Sequence, residues 1–141
     1  MTATFQQAQD DMFALINTAW LTTGYPIIWP NVAADETDRG TASPWARVTV
    51  IHADGSQASL ASALGTRRWN RTGNIIVQVF IPVGQGLSEG YTACKILMDA
   101  LEGASTAHGV WFRRCRVREI GPDGAWYQFN VSAEFTYDEV K

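Results

Sequence analysis

Asn74-Ile75-Ile76-Val77-Gln78-Val79-Phe80-Ile81, followed by Pro82-Val83-Gly84-Gln85-Gly86, is the stretch on which the fold turns. Its short length and its density of β-branched residues are those of a strand buried on much of both faces. Pro82 to Gly86 breaks the strand, and Ser88 stands where a helix cap is wanted. Apolar positions then recur at helical spacing until Gly103 closes the segment.

Working outward, Phe5, Ala8, Met12, Leu15, Ile16 and Ala19 predict a first helix from Thr4 to Leu21, with Asp10 and Asp11 on its solvated side. Thr4-Phe5-Gln6-Gln7 has the form of a capping box. Thr23-Gly24-Tyr25-Pro26 ends that helix, Ile27-Ile28-Trp29 reads as a short strand, and Asn31 to Pro44 reads as a polar loop. A strand follows from Trp45 to His52, with Ala46, Val48 and Val50 on one face and Arg47 and Thr49 on the other. Ala53 to Gly73 has only Leu60, Leu64 and Trp69 as large apolar residues, and reads as a long loop or an extended hairpin arm. Val110 to Ile120 alternates, which puts Arg114, Arg116 and Arg118 on the face of Val110 and Phe112. Gly121-Pro122-Asp123-Gly124 is a turn. Beyond it, Tyr127, Phe129, Val131, Ala133, Phe135 and Tyr137 share one face of a last strand that forms a hairpin with its predecessor. The expectation is a single α+β domain over 1–141: a mixed, mainly antiparallel sheet, two helices packed on one face, and a projecting loop or hairpin arm around 53–73.

Composition agrees with a globular domain: 141 residues, 46% of them hydrophobic and 18% charged, suffice for a core without disulfides or metals. No apolar run approaches the roughly 18 residues needed to span a bilayer. The first residues, Met1-Thr2-Ala3-Thr4-Phe5-Gln6, lack the basic region and apolar core of a signal peptide, so a protein made in the cytoplasm is expected. Cys94 and Cys115 belong to no metal or redox motif and read as buried free thiols. A net charge of −3 gives no global case for nucleic-acid binding, but the distribution is uneven. Arg67, Arg68 and Arg71 form one basic group, and Arg113, Arg114, Arg116 and Arg118 form another. Acids gather at Asp10-Asp11, at Asp35-Glu36 with Asp38, and at Asp138-Glu139. Separated basic and acidic surfaces suit contact with further copies or with charged partners.

Reactive chemistry is sparse. His52-Ala53-Asp54-Gly55-Ser56 contains the residue types of a triad, but neighbours in one segment do not supply nucleophile, base and orienter geometry. His108, beside Gly109, reads as a solvated loop residue. Gly84-Gln85-Gly86 lacks the third glycine of a dinucleotide fingerprint and the lysine of a phosphate loop, and reads as a β-to-α turn. Glu89, Asp99 and Glu102 fall on the polar side of the second helix. No catalytic residue, metal ligand or cofactor site is expected. What stands out is arginine and tryptophan: the candidate interface residues are Arg67, Arg68, Trp69, Arg71, Arg114, Arg116 and Arg118. Trp29, Trp45, Trp69, Trp111 and Trp126 lie near strand ends or loops, where half-exposed tryptophan favours an interface.

The run Arg71-Thr72-Gly73-Asn74 through Pro82, then Gly84-x-Gly86 and a helix ending at Leu101-Glu102-Gly103, resembles the tail-terminator-like proteins of long-tailed bacteriophages (siphoviruses). Trp29 to Val32, Trp45-Ala46-Arg47-Val48 and Trp126 to Val131 are similar to the same group, in order along nearly the whole chain. The resemblance implies an α+β structural protein without cofactor or enzymatic activity. It further implies a homohexameric ring that caps the head-proximal end of the tail tube and stops its polymerisation. Its implied partners are copies of itself, the tail tube protein and a neck or head-completion protein, with genomic DNA passing through the ring and no membrane contact. Assembly would take place in the host cytoplasm and the product would reside in the virion. The Arg/Ser/Ala-rich stretch within 53–73 is longer than the family pattern. The alternatives are a neck or head–tail joining ring of related fold, and a small α+β ligand-binding or hydrolytic enzyme using His52 or the Gly84–Gly86 turn.

Overall fold

The computed structural model describes residues 2–32, 43–60 and 63–141. The acidic group Asp35, Glu36 and Asp38, and most of the loop read over 31–44, lie outside the described residues.

Helix α1 spans Phe5–Trp20 and runs into a 3-10 turn, Leu21–Thr23. Its start is the expected capping box: the Gln7 amide donates to Thr4 Oγ1 at 3.2 Å, and the Thr4 amide donates to Gln7 Oε1 at 3.0 Å. Ala8, Met12, Ile16 and Trp20 form its buried stripe. Phe5, expected in that stripe, is 51% exposed, because at the first helical position its ring turns to the His52 imidazole instead.

Five strands follow: β1 Ile27–Ile28, β2 Trp45–Gln57, β3 Arg68–Pro82, β4 Trp111–Asp123 and β5 Trp126–Val140. Helix α2, Ser88–Leu101, connects β3 to β4. The sheet order is β1-β2-β3-β5-β4, with β1 parallel to β2 and every other pair antiparallel. This is the mixed, mainly antiparallel α+β architecture expected. Ser88 proves to be the first residue of α2 rather than its cap. Leu87 holds the cap position and makes no side-chain cap hydrogen bond. At the other end Gly103, at φ +73°, takes the left-handed conformation that lets the chain leave the helix.

Cross-strand register assigns the faces. Val48, Val77 and Val131 line up across β2, β3 and β5, as do Ala46, Val79 and Phe129. With Ile75, Ala133, Phe135 and Tyr137 they form the face under the helices, all essentially buried. Gly90 of α2 sits directly on the Phe129 ring, and α1 meets the β1 side through Phe13 and Trp29, whose ring centroids lie 5.1 Å apart. The opposite face carries Trp45 stacked on Phe80 at 4.1 Å, then Arg47, Thr49, Ile76, Gln78, Asn130 and Ser132. The central strand is therefore fully buried on one face and only partly on the other.

The stretch 53–73 is the hairpin form of the two expected. β2 runs on to Gln57, and β3 begins at Arg68 and pairs with both β2 and the end of β5. Of the described residues between them, 58–60 and 63–67 lie outside strands. Gly73 is a strand residue here: a Cβ at that position would strike the Ile51 carbonyl and the Phe135 ring.

Candidate assembly surfaces

The first basic group lies where the arm meets the C-terminal strand. Register places Asn70 against Asp138, Trp69 against Glu139 and Arg68 against Val140. Arg71 donates to Glu139 Oε1 at 2.7 Å with both side chains 15% exposed, and its guanidinium covers the rings of Phe5 and Trp69. Arg68 approaches Asp138 at 3.6 Å, and the Lys141 ammonium lies over Trp69. Arg67 is half-buried, and its carbonyl accepts from the Lys141 amide. The sequence placed these arginines and the Asp138-Glu139 pair on separate surfaces. The fold puts them on adjoining strands, where they largely neutralise one another. Trp69 and Arg71 thus act first as the arm's own anchor.

The second basic group lies on the edge strand β4. Arg113 pairs in register with Glu134, Arg116 with Ser132 and Arg118 with Asn130, all on the helix-free face. Simple alternation would set Phe112 and Arg116 on one face. Instead a bulge between Arg113 and Arg116, with Arg114 at φ +53°, reverses the phase. Phe112 therefore enters the core opposite Phe135, while Arg116 and Arg118 face outward. Arg114 reaches Glu134 at 3.1 Å, and Arg113 lies 5.1 Å from the Trp111 ring centroid. Arg116 and Arg118, both exposed, have no carboxylate partner among the described residues. Two residues apart on a strand, they are separated by roughly 7 Å, inside the screening distance at physiological salt.

The remaining candidates for chemistry resolve into structural roles. His52 Nε2 lies 2.8 Å from the Tyr137 hydroxyl, with the Phe5, Phe135 and Tyr137 rings edge-on around the imidazole. Burial, helped by the nearby Arg71 charge, lowers its pKa, and burial pushes the Tyr137 hydroxyl up to about 12. Neither Asp54 nor Ser56 hydrogen-bonds to it. His108 is not simply solvated: its backbone amide and Nδ1 both meet the Asp11 carboxylate at 2.9 Å, tying the α2–β4 loop to α1. Burial works to raise the Asp11 pKa, but hydrogen bonds from Thr106 and His108, with the His108 charge, outweigh it and lower the value. On the α2 side, Glu119 accepts from the Tyr91 and Tyr127 hydroxyls, and Glu89 accepts from Tyr25 at 2.6 Å. The Gly84–Gly86 turn has both glycines at positive φ, as a tight β-to-α connection needs. Cys94 is buried, which pushes its thiol up to about 12; Cys115 is half-buried, and neither forms a disulfide. Among the tryptophans, Trp45 is only 4% exposed, against the expectation of an interface role, whereas Trp111 is 43% exposed on the β4 edge.

Sequence reasoning passed over one surface feature. Asp11, Ala14, Leu15, Thr18 and Ala19 of α1 line a groove of about 400 Å³ with Ala100 of α2 and Ser105 to Ala107. Its small residues read from sequence as ordinary helix surface.

Comparison with known proteins accords with this geometry. The family described as phage tail terminator protein matches residues 10–135. One solved structure shares the fold at TM-score 0.63 and 18% identity, over 92% of this chain and 94% of that one. A chain from the virion of a native gene transfer agent particle shares it at TM-score 0.56 and 14% identity, over 93% and 91%. No curated protein sequence matches.

Proposed function

Because the chain belongs to the phage tail terminator protein family, we propose that this phage tail protein closes into a homohexameric ring on the head-proximal end of the tail tube. The ring halts tube polymerisation and offers its outer face to a neck or head-completion protein, and genomic DNA passes through it without sequence-specific contacts. The occurrence of the fold in the virion of a gene transfer agent particle agrees with a place in a virion.

The observation that carries the reading at residue level is the helix-free face of β4. Arg116 and Arg118 repel one another across water and lack a carboxylate of their own among the described residues. An acidic surface opposite them, on a neighbouring copy or the tube, turns that cost into charge-assisted hydrogen bonds. Arg114, already held by Glu134, borders the same contact, and Trp111 adds an exposed aromatic beside it. The exposed side of Arg68, with Arg67, Trp69 and Arg71 behind it, supplies the second contact at the arm. Electron microscopy of tails assembled with and without the protein tests the function. Tubes that run past their normal length in its absence, and a ring at one tube end in its presence, are expected. Tails of normal length without it would refute the proposal.

A further inference from the structure

The hairpin tip carries two leucines that no described residue covers: Leu60 is 101% exposed and Leu64 83%. Leucines left bare at the end of a stiff arm have no role in the stability of their own subunit. The α1–α2 groove is the converse, an apolar concavity in which none of the described residues is seated, built from Ala14, Leu15, Ala19, Ala100 and Ala107.

The charges match as well. From Gly55 to Leu87 the only charged residues are Arg67, Arg68 and Arg71; Arg71 is committed to Glu139, while Arg68, half exposed, keeps only a 3.6 Å approach to Asp138. Asp11 lines the groove, and the neighbouring stretches of chain carry Asp10, Lys95, Asp99, Glu102 and His108. Asp11 is held by His108 and Asp99 by Lys95; Asp10 accepts from the Gln6 side-chain amide, and neither it nor exposed Glu102 has a cationic partner among the described residues.

We infer that the groove between α1 and α2 receives the arm tip of a second copy of this chain, with Leu60 and Leu64 seated on the alanines and Arg68 directed to the acidic rim. The donor and acceptor surfaces are different parts of the molecule, so the contact is head-to-tail and repeats around an axis until it closes. The inference rests on the ring reading and specifies which surfaces of neighbouring subunits meet.

The experiment uses three versions of the full chain: wild type, Leu60→Ser/Leu64→Ser, and Ala14→Arg/Thr18→Arg. All four substituted positions are exposed at the surface, and thermal melts matching wild type confirm that each variant folds. Light scattering after chromatography, with and without purified tail tubes, reads the assembly state. Wild type is expected to assemble. Each variant alone should associate at least about tenfold more weakly, the loss for one leucine side chain returned to water. An equimolar mixture should give a species of two chains and no ring, since only one intact tip and one intact groove remain per pair. Either variant assembling like wild type overturns the arm-in-groove contact and leaves the ring intact. A wild type that stays monomeric both alone and on tubes overturns the ring reading itself.

Discussion

Replacing Gly90 by alanine sets two well-known effects against each other at the point where α2 touches the sheet. In a solvent-exposed helix the change adds stability, up to about 1 kcal/mol, because glycine gives up more backbone freedom on folding than alanine. Gly90, however, is buried in the first turn of α2, and a Cβ there would meet the Phe129 ring, with Cζ at 2.7 Å and Cδ2 at 3.0 Å and Cε2 closer still. Phe129 is fully buried and has Tyr91 and Tyr127 edge-on against it, so the ring has nowhere to retreat. The helix must lift, at the cost of about 1–3 kcal/mol typical of overpacking. With the full propensity gain set against it, the net expectation is a loss of about 0–2 kcal/mol, a midpoint lower by up to roughly 8 °C for a domain of this size. Urea denaturation followed by circular dichroism measures it, in a cycle with Phe129→Leu. Removing the ring edge makes room for the methyl, so Gly90→Ala in that background should be neutral or stabilising. If Gly90→Ala stabilises the otherwise native protein, the close approach of α2 to Phe129 is refuted.

The acid side of the stability profile should carry two signatures. The folded state holds the Asp11 pKa low, so its contribution is complete above the unfolded carboxylate value and is lost as pH falls through the folded one; Asp11→Asn should remove that part of the slope in pH-dependent melts. His52, also lowered in the folded state, favours folding above its ordinary value near 6.5 and loses that contribution as pH falls below it. A His52→Gln protein whose melting temperature still declines between pH 6.5 and 5 as in wild type would contradict this. Arg116→Glu should leave the subunit's stability within about 0.5 kcal/mol, as for exposed positions, while blocking assembly on tail tubes; normal virion yield from the double change of Arg116 and Arg118 to Gln would show a merely solvated face. Glu139→Gln should loosen the arm, seen as faster amide exchange over Arg68–Thr72 with the core strands unchanged.

The parts of the fold that a reader of the sequence can see are those written in local periodicity. The last strand alternates without interruption from Tyr127 to Tyr137, and the capping box at Thr4 is specified by four consecutive residues. What could not be read depends on partners distant in the chain. Gly55 and Gly73 look like loop residues; Gly73 is glycine because Phe135 and the Ile51 carbonyl occupy the space of a side chain. The bulge at Arg114 has no glycine to announce it, so strict alternation runs straight through it and groups Phe112 with Arg116 and Arg118, which in the fold face the other way. Arg71 with Glu139 and Asp11 with His108 are likewise pairs made by the fold. The arginines of β4 were legible as a cluster, but which of them remain without a carboxylate could not be known before Glu134 was placed.

The position of β5 bears on how the molecule comes into being. It is the last strand in the sequence and lies inside the sheet, between β3 and β4. Until it emerges from the ribosome, β4 has no neighbour to pair with, the inner edge of β3 lies open, and Phe129, Val131 and Phe135 are missing from the core. Pairings between distant segments form slowly, because the intervening chain must be closed into a loop first. Completion of the sheet is thus deferred until β5 has been made, and then proceeds as one event. Since Thr136–Val140 also backs the arm along Arg68–Thr72, a nascent or truncated chain has neither a finished core nor a stiff arm.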